Sequence, residues 1–326
     1  MRFFDMHCDT ATECAFNFGG RSLSEGAFHL SLKRGAYIDS WAQVFAVFIP
    51  DELRGQSAID YYERARDYIY SQQKVCEGKF YLCKSTEDID KYAGKGRCAA
   101  ILSVEGGAAL AGDISRVEAL HNDGVRLITL TWNGPNELGD GNMTENAGGL
   151  TAFGKDVVAK MNELGMAVDV SHLSDKGFYD VAEITKAPIT ASHSCSRRLC
   201  KHSRNLTDEM FCVIRDTKGA VGINFCTKFL HEDEYAADMT DILRHTEYYL
   251  SLGGDNTVCI GSDFDGTDMP KGVTGVESMG ELYELFLRHN YSEDTVRKIF
   301  WDNAYSFWGR VTDFSRAINK STNLKG

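Results

Sequence analysis

The chain has 326 residues, of which 43% are hydrophobic, 25% charged and 11% aromatic, a balance that excludes disordered, collagenous and coiled-coil proteins. Its 35 Lys and Arg against 47 Asp and Glu give a formal net charge of −12, so a phosphate backbone meets repulsion and nucleic acid is excluded as a partner. No run approaches the roughly 18 consecutive apolar residues of a membrane span, and with only 4 Pro no proline-rich linker divides the chain, so residues 1–326 read as one domain.

Taken in chain order, short β-type runs alternate with amphipathic helical stretches. The first run is Arg2 to Met6, and the segment from there to the second run, Trp41 to Phe48, reads as a loop. A helical stretch over Ile59 to Val75 leads to the third run, Cys98 to Val104, and one over Ile114 to His121 leads to the fourth, Val125 to Thr131. Thr151 to Leu164 precedes Met166 to Ser171, Asp175 to Ile184 precedes Pro188 to Ser192, and Thr207 to Asp216 precedes Ala220 to Phe225. Met239 to Leu250 leads to the eighth run, Thr257 to Ser262, and a helical tail from about residue 280, with Ser292 as an N-cap, packs outside. Alternation implies parallel strands joined by right-handed crossovers. Near-continuous apolar runs such as AAILSV and AVGINF suit strands buried on both faces. Eight runs, and no Gly-x-Gly-x-x-Gly after the first, favour a (β/α)8 TIM barrel over a dinucleotide fold.

The 10 Cys are scattered, mostly within apolar segments, and include no Cys-x-x-Cys pair. They read as small buried hydrophobes of a reducing compartment. A charged, His-bearing cluster already occupies Asp5 to Asp9, which leaves no room for a secretory leader, so the expected location is the cytoplasm.

Polar residues follow the runs in a consistent place. Asp5, His7 and Asp9 sit at i, i+2 and i+4, one face of an extended chain, with His7 and Asp9 at the mouth. Glu105, His172, His193 and Asp263 follow the third, fifth, sixth and eighth runs. All six therefore meet at the C-terminal rim, where parallel barrels build active sites. Three His and three carboxylates suit zinc or a related divalent ion. One ion that keeps an open position cannot use all six, whereas two can, with Glu105 bridging a His7, Asp9, Glu105 site and a Glu105, His172, His193 site. A hydroxide between two ions is a competent nucleophile near neutral pH, with Asp263 as general base. A structural metal, or Asp263 as a further ligand, is the alternative. The other six His, at 29, 121, 202, 231, 245 and 289, fall in loops and helices.

At these residues the sequence resembles the membrane (renal) dipeptidase family of zinc peptidases, within the amidohydrolase superfamily. FFDMHCD, ILSVEGG, GVRLITLTWN, VDVSH, ITASHS, HSRNLTDEM, GAVGINF and IGSDFDG carry the resemblance in order along nearly the whole chain. It implies an amidohydrolase-like barrel and a dinuclear zinc centre that hydrolyses dipeptides, some with a D-residue on the C-terminal side. The same matching puts Glu105 in the bridging place, His7 and Asp9 on one zinc, His172 and His193 on the other, and Asp263 in the acid/base role. Arg204 matches the family's clamp for the substrate carboxylate, with Arg197 and Arg198 as nearby rivals. A guanidinium fork suits that task.

Two positions depart from the mammalian pattern. Trp132 stands where a His helps polarise the scissile carbonyl, and Cys226 where a Tyr is found; both would line the substrate pocket. Asn133, Asn136 or a metal would then take over polarisation. The mammalian enzymes carry a signal and a lipid anchor, and this chain reads as a bacterial cytoplasmic branch. A homodimer is common for such barrels, although no self-complementary patch is legible. Two rival functions stay open: a related amidohydrolase acting on an N-acyl amino acid, cyclic amide or lactone, and a metal-binding protein without catalysis.

Overall fold

The computed structural model describes residues 1–24, 26 and 28–323. Among the described residues nine strands form: β1 (Arg2–Asp5), β2 (Ser40–Phe48), β3 (Phe80–Leu82), β4 (Cys98–Glu105), β5 (Val125–Thr129), β6 (Ala167–Asp169), β7 (Ile189–Ala191), β8 (Ala220–Ile223) and β9 (Val258–Ile260). Every pairing among them is parallel. β2 pairs with both β1 and β4, the series continues through β5, β6, β7 and β8 to β9, and Asp5 opposite Ile260 returns it to β1. The result is a closed eight-stranded (β/α)8 barrel, as the alternation of runs and helices predicts. β3 stays outside the ring, pairing only with Cys98, Ala99 and Ala100 of β4, while β5 joins β4 from Leu102 onward.

Helices Gln56–Val75, Ser115–Asn122, Ala152–Leu164, Asp175–Ile184, Asp208–Asp216 and Met239–Ser251 match the predicted amphipathic stretches. Four of their N-termini are capped by side chains. Thr151, Ser174 and Thr207 each accept from a backbone N–H three residues on, and Asp238 and Asp241 form a reciprocal capping box. Ser292 caps the tail helix as expected, accepting from Thr295 N–H. The tail then runs through a π-helical turn at Lys298–Asp302 into helix Asn303–Asn323. Trp301, Ala304, Phe307 and Trp308 pack in one buried cluster with Phe4 of β1, Met6 just after it, Ala42 of β2, Ala99 of β4 and Cys259 of β9, which is the outside packing anticipated.

Three expectations need correction. The segment after the first run is not all loop: Thr10–Phe16 is a helix with Thr10, Ala11, Thr12 and Cys14 buried. Two turns are too short to show a period, and burial against the barrel stabilises what local propensity does not. β3 and helix Thr86–Tyr92, the latter capped by Ser85, also form where no element was expected. Several predicted runs overshoot. Val125 to Thr131, Met166 to Ser171 and Pro188 to Ser192 each lose their last one or two residues from the strand, because the chain there turns out of the ladder to carry the rim side chains.

Candidate active site

The strand ends deliver all six predicted rim residues to one place, and all six are buried. His172 and Asp263 sit in the left-handed region, at φ 65° and 62°. Non-glycine residues rarely adopt it, and such strain gathers at functional sites. Gly266 allows the loop after β9 to close over the cluster, since a Cβ there would overlap the carboxylates of Asp9 and Asp263.

Glu105 occupies the middle. Its Oε2 lies 3.4 Å from His7 Nε2, while its Oε1 lies 3.0 Å from His172 Nε2 and 3.4 Å from His193 Nε2. His7 Nε2 also approaches Asp9 Oδ2 at 3.4 Å and Asp263 Oδ1 at 3.9 Å. Ligand-type atoms of His7, Glu105 and His193, and likewise of His7, Asp9 and Asp263, fall within 4.8 Å of one another. His7 stacks on His193 with ring centroids 3.8 Å apart.

The hydrogen bonds behind the imidazoles fix which nitrogen faces inward. Ser192 donates its hydroxyl to Asp169 Oδ2 at 2.5 Å, so its oxygen accepts from His193 Nδ1 at 2.7 Å. His172 Nδ1 donates to Asn133 Oδ1 at 2.9 Å. Both Nε2 atoms are therefore lone-pair acceptors, yet they lie 3.0 Å apart and both face a carboxylate oxygen. With both imidazoles neutral, three acceptors converge with no hydrogen between them, an arrangement that a bound cation reconciles. Both ring nitrogens of His7 and Asp9 Oδ1 are likewise buried without a hydrogen-bond partner. The donor set thus fits divalent metal.

Protonation follows the same crowding. Burial and then the charge of Glu105 push Asp9 up to about 8. Burial works to lower His7, but Glu105 and Asp9 outweigh it and hold it well above its ordinary value. Glu105 is held well below the carboxylate range despite burial, because His7, His172 and His193 surround it. Burial, His7 and Arg204 drive His193 well down, and burial with Arg204 lowers His172.

A cavity of about 430 Å3 opens onto this cluster. Asp9, Glu105, His172 and Asp263 line it, with Trp132, Asn133 and Cys226 as predicted. Phe48 and Phe229 also line it, and Trp132 meets Phe48 edge-on with ring centroids 4.8 Å apart. Asn133 is engaged with His172, and Asn136 is consumed in its own loop, donating to Leu130 O and accepting from Leu138 N.

Of the three arginines, Arg197 is paired with Asp175 and Arg198 is exposed. Arg204 is buried behind Phe229, its guanidinium 5.6 Å from that ring, and is absent from the cavity wall. Its hydrogen bonds reach only neutral oxygens, the Ser194 hydroxyl and the His193 carbonyl, and its Nε has no partner.

Sequence reasoning missed Asn224, which donates to Asp263 Oδ2 at 3.0 Å, and the Asp169–Ser192 pair behind His193. Neither had a signal beyond lying near a run's end.

The sequence matches the profile of the membrane dipeptidase family, peptidase family M19, over residues 1–322. It is 34% identical over 243 residues to an uncharacterised protein in the pqqA 5′ region of Klebsiella pneumoniae, covering 72% of this chain and 88% of that one. It is 33% identical over 231 residues to the dipeptidase aclJ of Aspergillus oryzae, covering 70% of this chain and 55% of the fungal protein. Among solved structures, the dipeptidase AC, a metallopeptidase of family M19, superposes with a TM-score of 0.89 at 28% identity, covering 95% of this chain and 98% of that one. A metallopeptidase from Rhodobacter sphaeroides, bound to a phosphinate mimic of the dipeptide L-Ala-D-Ala, gives a TM-score of 0.89 at 27% identity, covering 95% and 99%. With a profile match over nearly its whole length and this agreement in fold, the chain belongs to the membrane dipeptidase family.

Proposed function

We propose that this metal-dependent dipeptidase works with two divalent cations, zinc by ligand type, held on either side of Glu105. The carrying observation is the division of the Glu105 carboxylate, one oxygen toward His7 and the other toward His172 and His193. His7, Asp9 and Glu105 would hold one cation, and Glu105, His172 and His193 the other. Bound there, the pair would acidify water to a nucleophile and polarise the scissile carbonyl.

The chain's own groups supply the rest. Asp263, held by Asn224 through one oxygen, keeps the other free to take the proton of the attacking water and return it to the leaving amine. Arg204 is a buried cation whose hydrogen bonds reach only neutral oxygens, so the carboxylate of a dipeptide would be its direct ion-pair partner once Phe229, which stands between it and the cavity, gives way. Trp132, Asn133 and Cys226 would shape the side-chain pockets. The L-Ala-D-Ala mimic held by the Rhodobacter relative supports L,D-dipeptides among the substrates.

We take residues 1–326 as one catalytic domain and place the enzyme in the cytoplasm. Its ten cysteines are all free and nine are buried, which suits a reducing compartment. Among the described residues no helix is long and apolar enough to cross a membrane.

Chelator-stripped protein should lose turnover of L,L- and L,D-dipeptides and regain it with zinc as elemental analysis approaches two ions per chain. Turnover that survives without metal, or saturates at one ion, overturns this reading.

A further inference from the structure

Behind the rim, one hydrogen-bond pattern occurs twice. Asp5 ends β1 and Asp169 ends β6, and both are fully buried. Asp5 Oδ1 accepts from the backbone N–H of His7 at 3.3 Å and of Ser262 at 2.8 Å. Its Oδ2 accepts from the Ser262 hydroxyl at 2.6 Å and the Gln43 amide at 2.8 Å. Asp169 repeats this atom for atom. Its Oδ1 accepts from the N–H of Ser171 at 3.0 Å and of Ser192 at 2.9 Å, and its Oδ2 from the hydroxyls of Ser192 at 2.5 Å and Thr129 at 2.6 Å.

The registers agree as well. Asp5 faces Gln43 on β2 and Ile260 on β9; Asp169 faces Thr129 on β5 and Thr190 on β7. Each carboxylate therefore ties its own strand to its register partner on one side, and on the other side to the serine two residues beyond the partner. Four donors satisfy each buried charge. Two of the four are backbone N–H groups where the chain leaves the ladder and turns outward.

The residues so held are the rim residues or their immediate neighbours. Asp5 binds the N–H of His7, and Asp263 follows Ser262. His172 follows Ser171, and His193 follows Ser192. The second copy reaches further, because Ser192 passes the Asp169 contact on to the His193 ring.

We propose that Asp5 and Asp169 are paired positioning residues, each governing one of the two cation sites: Asp5 the side of His7, Asp169 the side of His172 and His193. The inference rests on the two-cation reading above. Replacing either Asp by Asn turns one acceptor oxygen into an NH2 group and leaves donors facing donors. The strand ends then lose the tie that orients the ligands, and outer contacts of this kind govern 10–100-fold in metal affinity.

The test is stepwise zinc binding to stripped protein in competition with a chromophoric chelator. His7→Ala and His172→Ala identify which step belongs to which side. Asp169→Asn should weaken the step lost in His172→Ala by about 10–100-fold, with the other step moving less than about threefold. Asp5→Asn should do the converse. Ser192→Ala and Ser262→Ala keep both carboxylates and should weaken the same steps by roughly tenfold, which carries the test if an Asn variant fails to fold. Equal weakening of both steps by either variant, or no change in either, overturns the proposal. A wild type that takes up one ion refutes the two-cation reading and the pairing with it, whereas two ions with unselective losses refute the pairing alone.

Discussion

Asp263→Asn separates the two roles that the rim geometry leaves for this residue. The side chain has one oxygen held by Asn224 Nδ2 at 3.0 Å and the other 3.9 Å from His7 Nε2. An asparagine keeps the volume, and its amide oxygen will turn to accept from Asn224, because two NH2 groups cannot face each other. Its own NH2 then points into the cluster, where it can take up no proton. If Asp263 is the general base, kcat falls by roughly 10²–10⁴-fold, equivalent to about 3–5 kcal/mol in the barrier, while both ions stay bound. If Asp263 is instead a ligand, its substitution removes an ion. Elemental analysis of the variant, with kcat on one good dipeptide at saturating zinc, reads both numbers from one preparation. Two ions with kcat within threefold of wild type would refute the base role, and one ion would reassign Asp263 as a ligand.

Other consequences follow from particular contacts. Arg204→Met keeps the buried stem but removes the charge, and should cost about 10–100-fold in kcat/KM on free dipeptides, with no loss on C-terminally amidated ones; equal losses on both would remove the clamp. Gly266→Ala forces a methyl into Asp9 and Asp263, so kcat/KM should drop by roughly 100-fold with an unchanged far-UV spectrum; full activity would show that the loop has room. His245 is buried between Ser196 N–H and Leu230 O, and burial lowers it to about 4. Its folded value lies below the unfolded 6.5, so the unfolded chain binds the proton first and stability is lost as pH falls through that window. Between pH 7.5 and 5 this amounts to about 2 kcal/mol. Urea unfolding of metal-free wild type and His245→Gln should show the variant's deficit shrinking by that amount, and a deficit independent of pH would refute the assignment.

The barrel was legible because its signals are local. AAILSV and AVGINF announce strands buried on both faces, and Ser292 marks the start of a tail helix. The site was legible for the same reason: side chains at or just past the C-terminal ends of parallel strands gather at the rim. What the sequence hides is contact between distant strand ends. Asn224 matters only because the end of β8 lies beside that of β9, and Ser192 only because β7 lies beside β6. Helix Thr10–Phe16 and β3 were missed because each forms through burial against a barrel that no short window contains. The same limit applies to Arg204, whose motif is legible but whose place 5.6 Å from the Phe229 ring is not.

The substitution of Trp132 for a cationic donor is resolved by what its neighbours are already doing. Asn136 uses both amide atoms to hold Leu130 and Leu138 in the loop after β5, so it has nothing to offer a substrate. Asn133 lines the cavity and spends its oxygen on His172, which leaves its NH2 as the uncommitted donor of the pair. On the two-cation reading, carbonyl polarisation would therefore fall to the cations, to Asn133 Nδ2, or to both. Asn133→Asp keeps an acceptor for His172 Nδ1 but removes the donor, whereas Asn133→Ala removes both. If the amide contributes, the Asp variant keeps both ions and loses roughly tenfold in kcat, about the worth of one hydrogen bond. The Ala variant should also bind zinc more weakly, because the tautomer of His172 is no longer held. Wild-type kcat in the Asp variant would leave polarisation to the cations alone, with Trp132 acting only as part of the aromatic wall it forms with Phe48.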